Sequence, residues 1–315
     1  MTAATPEDAD RTSMVLDVKG NALDDGPGIR SVVFFKGCPL SCVWCHNPES
    51  WRRAPELSFD AEKCLTGCTR CLDACPKRAL DRSDPDFVDR TACDLCFACV
   101  DACPSGALAR VGRLTTFEDL MNTVRRDKPF YDASGGGVTF SGGEPTLHMD
   151  LLGRLAAGCR AEGIHTLLET AGYFRWERFE KEVLPHIDTV YFDLKVFDPQ
   201  AHREYCGVSN RTIFENFTRL AALSLDGEID ILARVPLIPG ITATPENVMA
   251  IGDFVLAQGV RRVRLLDYNP TWVGKVAKIG RNNPFAQQAA LRTWLPKEVT
   301  ASLRAKLESR GIAAE

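Results

Sequence analysis

The stretch FFKGCPLSCVWCHNPES, residues 34 to 50, carries three cysteines within eight positions, directly after an apolar, β-branched run. Cys38, Cys42 and Cys45 have the spacing C-x3-C-x2-C, and Trp44 precedes the last of them. Cysteines grouped this closely are typical of a metal site. Three thiolates leave one position of a four-coordinate centre open, as catalytic zinc does for its substrate. We therefore expect this stretch to hold a metal centre that coordinates a small molecule.

The composition is that of a globular protein. The chain has 315 residues, of which 45% are hydrophobic and 25% charged, enough to bury a sizeable core. A net charge of −4 and a pI near 5.8 give no overall attraction to nucleic acid or to an anionic membrane.

The sequence also predicts the compartment. We expect no membrane span, because no apolar run approaches roughly eighteen residues, and no secretory signal, because MTAATPEDAD is acidic and polar. The prediction is a cytoplasmic protein. Thirteen cysteines in a reducing compartment favour metal binding over disulfides.

Strand and helix patterns alternate along much of the chain. A helix is clearest after Thr244, with Pro245 at its first position and Gly259 just past its end. Alternation of this kind predicts parallel strands and a complete or partial β/α barrel, with reactive groups at the carboxyl ends of the strands. Strands are expected at 13–20, 31–37, 136–143, 165–170, 189–196, 230–238 and 261–269.

Residues 51 to 112 interrupt this alternation and contain two related cysteine runs. The second run, before Pro104, matches the bacterial ferredoxin pattern C-x2-C-x2-C-x3-C-P, and the first, before Pro76, has one extra residue in its opening gap. In ferredoxins the fourth cysteine of each run crosses to the other cluster. By similarity, one [4Fe-4S] cluster would be held by Cys64, Cys68, Cys71 and Cys103, and the other by Cys93, Cys96, Cys99 and Cys75.

The alternative for this segment is a zinc ribbon built on Cys68, Cys71, Cys93 and Cys96. It leaves four cysteines and both Cys-Pro steps unexplained, so we favour the ferredoxin interpretation. The expected organisation is a flexible tail at 1–12, a barrel at 13–50 and 113–315, and a ferredoxin-like insertion at 51–112. Cys159 and Cys206 stand alone and are expected to be inert thiols.

Five motifs together resemble the glycyl-radical enzyme activating enzymes of the radical S-adenosylmethionine (SAM) superfamily. They occur in the family's order, and the double cysteine run resembles the longer subgroup of that family. The resemblance implies a partial (β/α)6-type TIM barrel with a ferredoxin-like insertion that binds two [4Fe-4S] clusters. The motifs are DGPGIR (25–30), KGCPLSCVWCHNPES (36–50), GGGVTFSGGEPTLH (135–148), FDLKVFDP (192–199) and ARVPLIPGIT (233–242).

The resemblance also implies an activity. Such an oxidoreductase of anaerobic metabolism reductively cleaves SAM at a third [4Fe-4S] cluster. It uses the 5′-deoxyadenosyl radical to take a hydrogen from a backbone glycine of a partner glycyl-radical enzyme. A ferredoxin or flavodoxin is the expected electron donor, and a monomer the expected state.

The resemblance assigns roles residue by residue. Cys38, Cys42 and Cys45 would ligate the SAM-binding cluster, and Asp25 would meet the partner's glycine loop. Lys195 and Arg234 are further candidate catalytic residues: Lys195 suits the methionine carboxylate as a compact cation, and Arg234 resembles the family's strand-end arginine near the cofactor and the partner loop. The other cofactor contacts implied are Trp44, His46, Gly142, Gly143, Glu144, Glu169, Thr170, Asp193 and Leu194.

One position departs from the shorter members of the family. They have a histidine near the nucleoside after LLPY, whereas this chain has Asn269 after LLDY. An amide keeps the hydrogen-bonding capacity of imidazole, so Asn269 is predicted to contact the cofactor. Two other functions stay open: a radical SAM enzyme that acts on another peptide or a small molecule, and a multi-cluster electron-transfer protein.

Overall fold

The computed structural model describes residues 12–315, and its framework is one nine-stranded sheet. Seven neighbouring strands are parallel, and six of them, all except the two-residue strand Ala313–Ala314 at one edge, form the (β/α)6 core that the family resemblance implied. The two edges of the sheet are the strands Arg113–Thr116 and Ala313–Ala314, which do not pair with each other, so the barrel is open. The parallel core contains β2 (Arg30–Phe35), β6 (Gly137–Gly142), β7 (His165–Thr170), β8 (Thr189–Asp193), β9 (Asp230–Pro236) and β10 (Arg262–Leu266).

The remaining strands of this sheet extend its two sides. β1 (Thr12–Ala22) pairs antiparallel with both β2 and β5 (Arg113–Thr116), whereas β11 (Ala313–Ala314) pairs parallel with β10. All seven strands expected from the sequence are present. The predicted tail at 1–12 lies outside the described residues except for Thr12, which begins β1.

Helices follow the parallel strands and bury their apolar faces against one side of the sheet. The helix predicted after Thr244 forms at Pro245–Ala257, and the Thr244 hydroxyl accepts a hydrogen bond from the Asn247 amide at 3.2 Å. In chain order within the barrel, the helices are α3 (Phe117–Arg126), α4 (Lys128–Ser134), α5 (Met149–Ala161), α6 (Trp176–Glu182), α7 (Pro199–Cys206), α8 (Arg211–Leu225), α9 (Pro245–Ala257), α10 (Trp272–Lys278) and α11 (Lys297–Glu308).

Six short 3-10 turns complete the secondary structure of the described chain, and they lie at Pro48–Ser50, Ala61–Lys63, Pro145–His148, Leu184–His186, Pro284–Gln287 and Ala289–Arg292. None of the helices between residues 12 and 315 is both long and apolar enough to cross a bilayer.

The segment between the barrel strands folds around its own small core. β3 (Glu56–Phe59) and β4 (Leu108–Val111) form an antiparallel pair, and α1 (Arg70–Ala74) and α2 (Ala98–Asp101) lie between them in the chain. All of these elements lie within the predicted insertion at 51–112. The buried residues of this core include two of the cysteines and are Leu57, Cys71, Leu80, Phe87, Val88, Cys99 and Leu108.

A buried ion pair attaches the insertion to the barrel. Glu56 of β3 accepts from Lys36 Nζ at 2.7 Å and from Arg281 Nη2 at 2.9 Å. Lys36 directly follows β2, is completely buried, and lies two residues before Cys38. A second pair, Lys278 with Asp60 at 2.8 Å, lies in the same contact. The insertion is therefore held against the segment that carries the first cysteine group.

Replacing Glu56 with alanine tests this attachment. Because the change leaves the Lys36 ammonium buried without its carboxylate, we expect the folded state to lose about 3 kcal/mol or more. The matched control is Arg52→Ala, since Arg52 is 72% exposed and lies 3.9 Å from the same carboxylate. We expect that change to cost about 1 kcal/mol or less. Urea unfolding of the cluster-loaded proteins measures both, and equal losses would contradict the interpretation.

Candidate active site at the carboxyl ends of the strands

The loop that carries the cysteine triplet follows β2 and is tied to neighbouring elements by its backbone. The Ser41 amide donates to the Cys206 carbonyl at 2.9 Å, and the Val43 amide donates to the Tyr205 carbonyl at 3.0 Å, both at the end of α7. On the other side, Asn283 Nδ2 donates to the Val43 carbonyl at 2.7 Å. These bonds fix the path of the loop independently of any bound group.

Cys38, Cys42 and Cys45 line one cavity of about 290 Å³, which lies at the carboxyl ends of the parallel strands. They are the only cysteines among its lining residues in the described chain, so a centre held here has three protein thiolates. The polar part of the lining is His46, Asn47, Ser141, Gly142, Gly143, Glu169, Thr170, Asp193, Lys195, Arg234 and Asp267. The apolar part is Leu40, Trp44, Ala171, Pro236, Ile238, Leu266 and Tyr268.

The donor set fits an iron–sulfur cluster with one open iron. Burial raises the pKa of the Cys45 thiol to about 12, so without a metal this site would hold neutral thiols. Bound iron reverses that preference, because metal ligation requires and stabilises the thiolate. The amino-acid part of SAM needs charged and polar partners, and its nucleoside part needs apolar walls; this cavity offers both.

One wall of the cavity, here called the charged wall, is a chain of largely buried polar side chains. Four of them lie on the adjacent strands β6 to β9 and one follows β8: Ser141, Glu169, Asp193, Arg234 and Lys195. Arg234 of β9 lies between two carboxylates: its Nε donates to Asp193 at 2.8 Å, and its Nη1 donates to Glu169. Ser141 donates to the other oxygen of Glu169 at 2.7 Å, and Lys195 Nζ lies 2.8 Å from Asp193. Two cations therefore balance two anions within the wall.

The neighbouring charges set the protonation state of Lys195, which lies at one end of this wall. Burial alone would lower the pKa of Lys195, but the Asp193 carboxylate raises that pKa above its ordinary value. The same cations, Lys195 and Arg234, hold the pKa of Asp193 below its ordinary value against the effect of its burial. Lys195 is therefore a permanent ammonium facing the cavity, suited to bind a carboxylate.

The loop after β6 contacts the cysteine loop through its backbone. Gly143 and Glu144 donate their amides to the Phe35 and Gly37 carbonyls at 2.9 and 2.8 Å. A Cβ on Gly143 would lie 2.2 Å from the Gly37 oxygen, so only glycine fits here. Gly143, implied by the resemblance as a cofactor contact, lines the cavity, and its close backbone approach is to the cysteine loop.

Glu144 does not line the cavity, although the sequence predicted a cofactor contact. Its side chain is completely buried, and its carboxylate accepts from the Thr146 and Thr170 hydroxyls, both at 2.8 Å, and from the Ala171 amide at 2.9 Å. Burial raises the pKa of this carboxyl group. Glu144 thus joins the loop after β6 to the end of β7 and holds both in place.

Two further predicted contacts also lie outside the cavity. Leu194 is fully buried in the hydrophobic core on the helix side of the sheet. Asn269 accepts a hydrogen bond from the Thr271 amide at 3.0 Å, at the start of α10. The residue before it, Tyr268, lines the cavity instead and lies beside His46, with 6.2 Å between ring centroids. Tyr268 was not predicted from the sequence. Its position two residues after the end of β10 could have indicated a place in the cavity wall.

Asp25 lies beside the charged wall, in the turn between β1 and β2, which is hydrogen-bonded to β6. Its backbone carbonyl accepts from the Thr139 hydroxyl at 2.7 Å, and that hydroxyl accepts from the buried Arg30 at 2.6 Å. Burial and the negative charge of Glu169 raise the pKa of Asp25. Asp25 is half-buried and is absent from the cavity lining.

The insertion brings its cysteines together across the two runs. Cys75 of the first run lines the same small cavity as Cys93, Cys96 and Cys99 of the second. Burial raises the pKa of Cys71, and so do the charges of Cys103 and Cys64, so these three thiols lie near one another. In the described chain, no three His, Cys, Asp or Glu side chains are spaced to share a single metal ion.

Comparison with known families assigns the class. Residues 91–251 match the radical SAM superfamily, residues 56–110 a 4Fe-4S dicluster domain, and residues 24–79 a 4Fe-4S single cluster domain. A radical SAM methyltransferase from Sphaerobacter thermophilus has a similar fold, with a TM-score of 0.51 and 13% identity over 96% of this chain and 76% of that one. The open parallel sheet and these matches define a radical SAM protein.

Curated relatives narrow this class. The chain is 38% identical over 286 residues to the isethionate sulfite-lyase activating enzyme of Oleidesulfovibrio alaskensis, which covers 89% of this chain and 91% of the relative. It is 36% identical over 258 residues to the (2S)-3-sulfopropanediol dehydratase activating enzyme of Klebsiella oxytoca, which covers 80% of each. The chain therefore belongs to the glycyl-radical enzyme activating enzymes. The expected fold class and SAM radical chemistry are confirmed.

Two substitutions compare a residue inside the cavity with one outside it. Lys195→Met removes the permanent cation, and we expect SAM to bind about tenfold more weakly, since a charge-assisted hydrogen bond contributes roughly 1.5–3 kcal/mol. Asn269→Ala should change the dissociation constant less than about twofold, because this side chain does not reach the cavity. Equilibrium dialysis of the anaerobic, cluster-loaded proteins measures both. If only Asn269→Ala weakened SAM binding strongly, Asn269 and not Lys195 would be the cofactor contact.

Proposed function

We propose that the chain holds three [4Fe-4S] clusters. An electron passes from the two clusters of the insertion to the third cluster, which binds SAM. Cys38, Cys42 and Cys45 would bind the catalytic cluster in the barrel. In the insertion at 51–112, Cys64, Cys68, Cys71 and Cys103 would bind one auxiliary cluster, and Cys75, Cys93, Cys96 and Cys99 the other. The observation that carries the proposal is the meeting of the cysteine triplet and the charged wall in one cavity.

When bound, the catalytic cluster would supply one electron, received from the external donor, for the cleavage of SAM into methionine and a 5′-deoxyadenosyl radical, and the radical would become 5′-deoxyadenosine by taking a hydrogen atom from a glycine of the partner. The chain's own residues orient this reaction. Lys195 would bind the methionine carboxylate. The rest of the charged wall, Asp193, Glu169 and Arg234, would hold Lys195 in place and face the polar part of SAM. Trp44, His46 and Tyr268 would enclose the nucleoside and exclude water, which protects a radical from side reactions.

Asp25 is proposed to meet the glycine loop of the partner. It lies on a turn near Glu169 at the charged wall and outside the SAM cavity proper, where a second polypeptide can approach. Its turn is set by the Thr139 and Arg30 hydrogen bonds, so its position does not depend on the bound cofactor.

The partner is proposed to be a glycyl-radical enzyme. Relatives of 38%, 36% and 38% identity are named as activators of a sulfite-lyase, a dehydratase and a decarboxylase, so the proposal covers all three kinds of partner. A ferredoxin or flavodoxin is the proposed electron donor to the insertion. We further propose that the enzyme acts as a monomer in the cytoplasm, where the reducing conditions suit its thirteen cysteines.

The catalytic assignment predicts the result of Cys42→Ala. We expect this variant to release no 5′-deoxyadenosine from SAM and to lose about four of the roughly twelve irons that three cubanes require. The unchanged protein, reduced anaerobically and mixed with SAM and a candidate partner, should give a glycyl-radical doublet in its electron paramagnetic resonance spectrum. Formation of 5′-deoxyadenosine without that doublet in any partner would favour a small-molecule or other peptide substrate.

The insertion is tested separately with the double variant Cys71→Ala and Cys99→Ala, which removes a buried ligand from each auxiliary cluster. If the insertion relays electrons, turnover with flavodoxin should fall, whereas turnover with dithionite should persist because the catalytic cluster is intact. Undiminished turnover with flavodoxin after the loss of about eight irons would show a structural or docking role instead.

A further inference from the structure

Helix α10 lies across the turn that follows the last cysteine of the triplet. Lys275, on this helix, directs its ammonium at three acceptors of that turn: the His46 carbonyl at 2.8 Å, Glu49 Oε1 at 3.2 Å and Asn47 Oδ1 at 3.4 Å. An ammonium has three donors, so one short segment uses all of them.

This turn forms part of the cavity wall. His46 and Asn47 line the cavity, and the turn closes where Ser50 accepts a hydrogen bond from the Gly37 amide at 2.6 Å. The Ser50 amide bonds to Asn47 within the turn, but among the described hydrogen bonds the His46 carbonyl is bound from outside it, by Lys275. The orientation of the peptide directly after Cys45 is therefore set by a residue about 230 positions away in the chain.

The lysine projects from a firmly placed helix. Trp272, at the start of α10, is completely buried, and its Nε1 donates to the Tyr268 hydroxyl at 2.7 Å. That hydroxyl donates in turn to the Leu291 carbonyl at 2.6 Å. Because Tyr268 itself lines the cavity, the helix and the cavity wall share one anchor.

We propose that Lys275 is a positioning residue for SAM: it holds the turn from His46 to Glu49 in the shape that the nucleoside side of the cavity requires. It touches neither the cluster ligands nor the cavity interior, and it acts through the His46 peptide. The inference rests on the proposed function, in which the cysteine triplet binds a cluster and SAM.

The same helix provides a matched control. Lys278 lies one turn farther along, has a nearly equal exposed fraction of its side chain (39% against 41% for Lys275), and pairs with Asp60 of the insertion at 2.8 Å. Removing either ammonium breaks one partly exposed ion pair of α10. Only the loss of Lys275 releases the turn after Cys45.

The test compares Lys275→Met, Lys275→Arg and Lys278→Met as anaerobic, cluster-loaded proteins of equal iron content. Equilibrium dialysis gives the dissociation constant of SAM, and electron paramagnetic resonance records the change in the reduced catalytic cluster when SAM is added. For Lys275→Met we expect about tenfold weaker binding and an altered spectral response. Lys278→Met should stay within about twofold of the unchanged protein, and Lys275→Arg should recover most of the affinity.

Equal effects of the two methionine variants, or a Lys275→Met variant that binds SAM as well as the unchanged protein, would overturn the inference. If Lys275→Met takes up less iron, Lys275→Gln replaces it in the same comparison. Its amide has two donors instead of three and no charge, so we expect SAM binding weaker than in Lys275→Arg but less than about tenfold weaker than in the unchanged protein. Failure of the unchanged protein to bind SAM at all would instead reject the proposed function, so the two failures are distinguishable.

Discussion

The pairing of Arg234 with two carboxylates from neighbouring strands is the interaction on which the site depends. A guanidinium buried at the carboxyl ends of β7, β8 and β9 requires compensating charge, and Glu169 and Asp193 provide it. Asp193 in turn keeps Lys195 charged and directed at the cavity. A permanent ammonium can then face a carboxylate ligand without leaving an uncompensated charge in the wall.

The same principle joins the two parts of the chain. The completely buried Lys36 needs an anion, and Glu56 of the insertion supplies it, while Arg281 binds the other carboxylate oxygen. Lys36 lies two residues before the first cysteine of the triplet. An insertion attached at this position has a fixed place relative to the cysteine loop, as the proposed transfer of electrons between them requires.

The parts that were predictable from sequence are those with a local physical signal. Alternating apolar strands and a capped, proline-initiated helix after Thr244 predicted the parallel sheet, and cysteine spacing predicted the metal loops. The side chains of Glu144 and Asn269 are not among the residues that line the cavity, which their motifs do not reveal because a motif indicates proximity to the cavity but not side-chain direction. Glu144 turns inward to two threonine hydroxyls and an amide, and Asn269 accepts from the Thr271 amide just before α10.

The sequence by itself determined the class of chemistry, since three thiolates within eight residues after a buried strand can leave one coordination position open. It also determined the alternation that makes the sheet parallel and brings strand ends to one edge. Only the tertiary structure decided which distant groups meet there: Tyr268 in the wall, Arg234 between two acids, and Lys275 on the His46 carbonyl. These contacts join residues far apart in the chain, and their geometry depends on helix and strand packing that no short motif encodes.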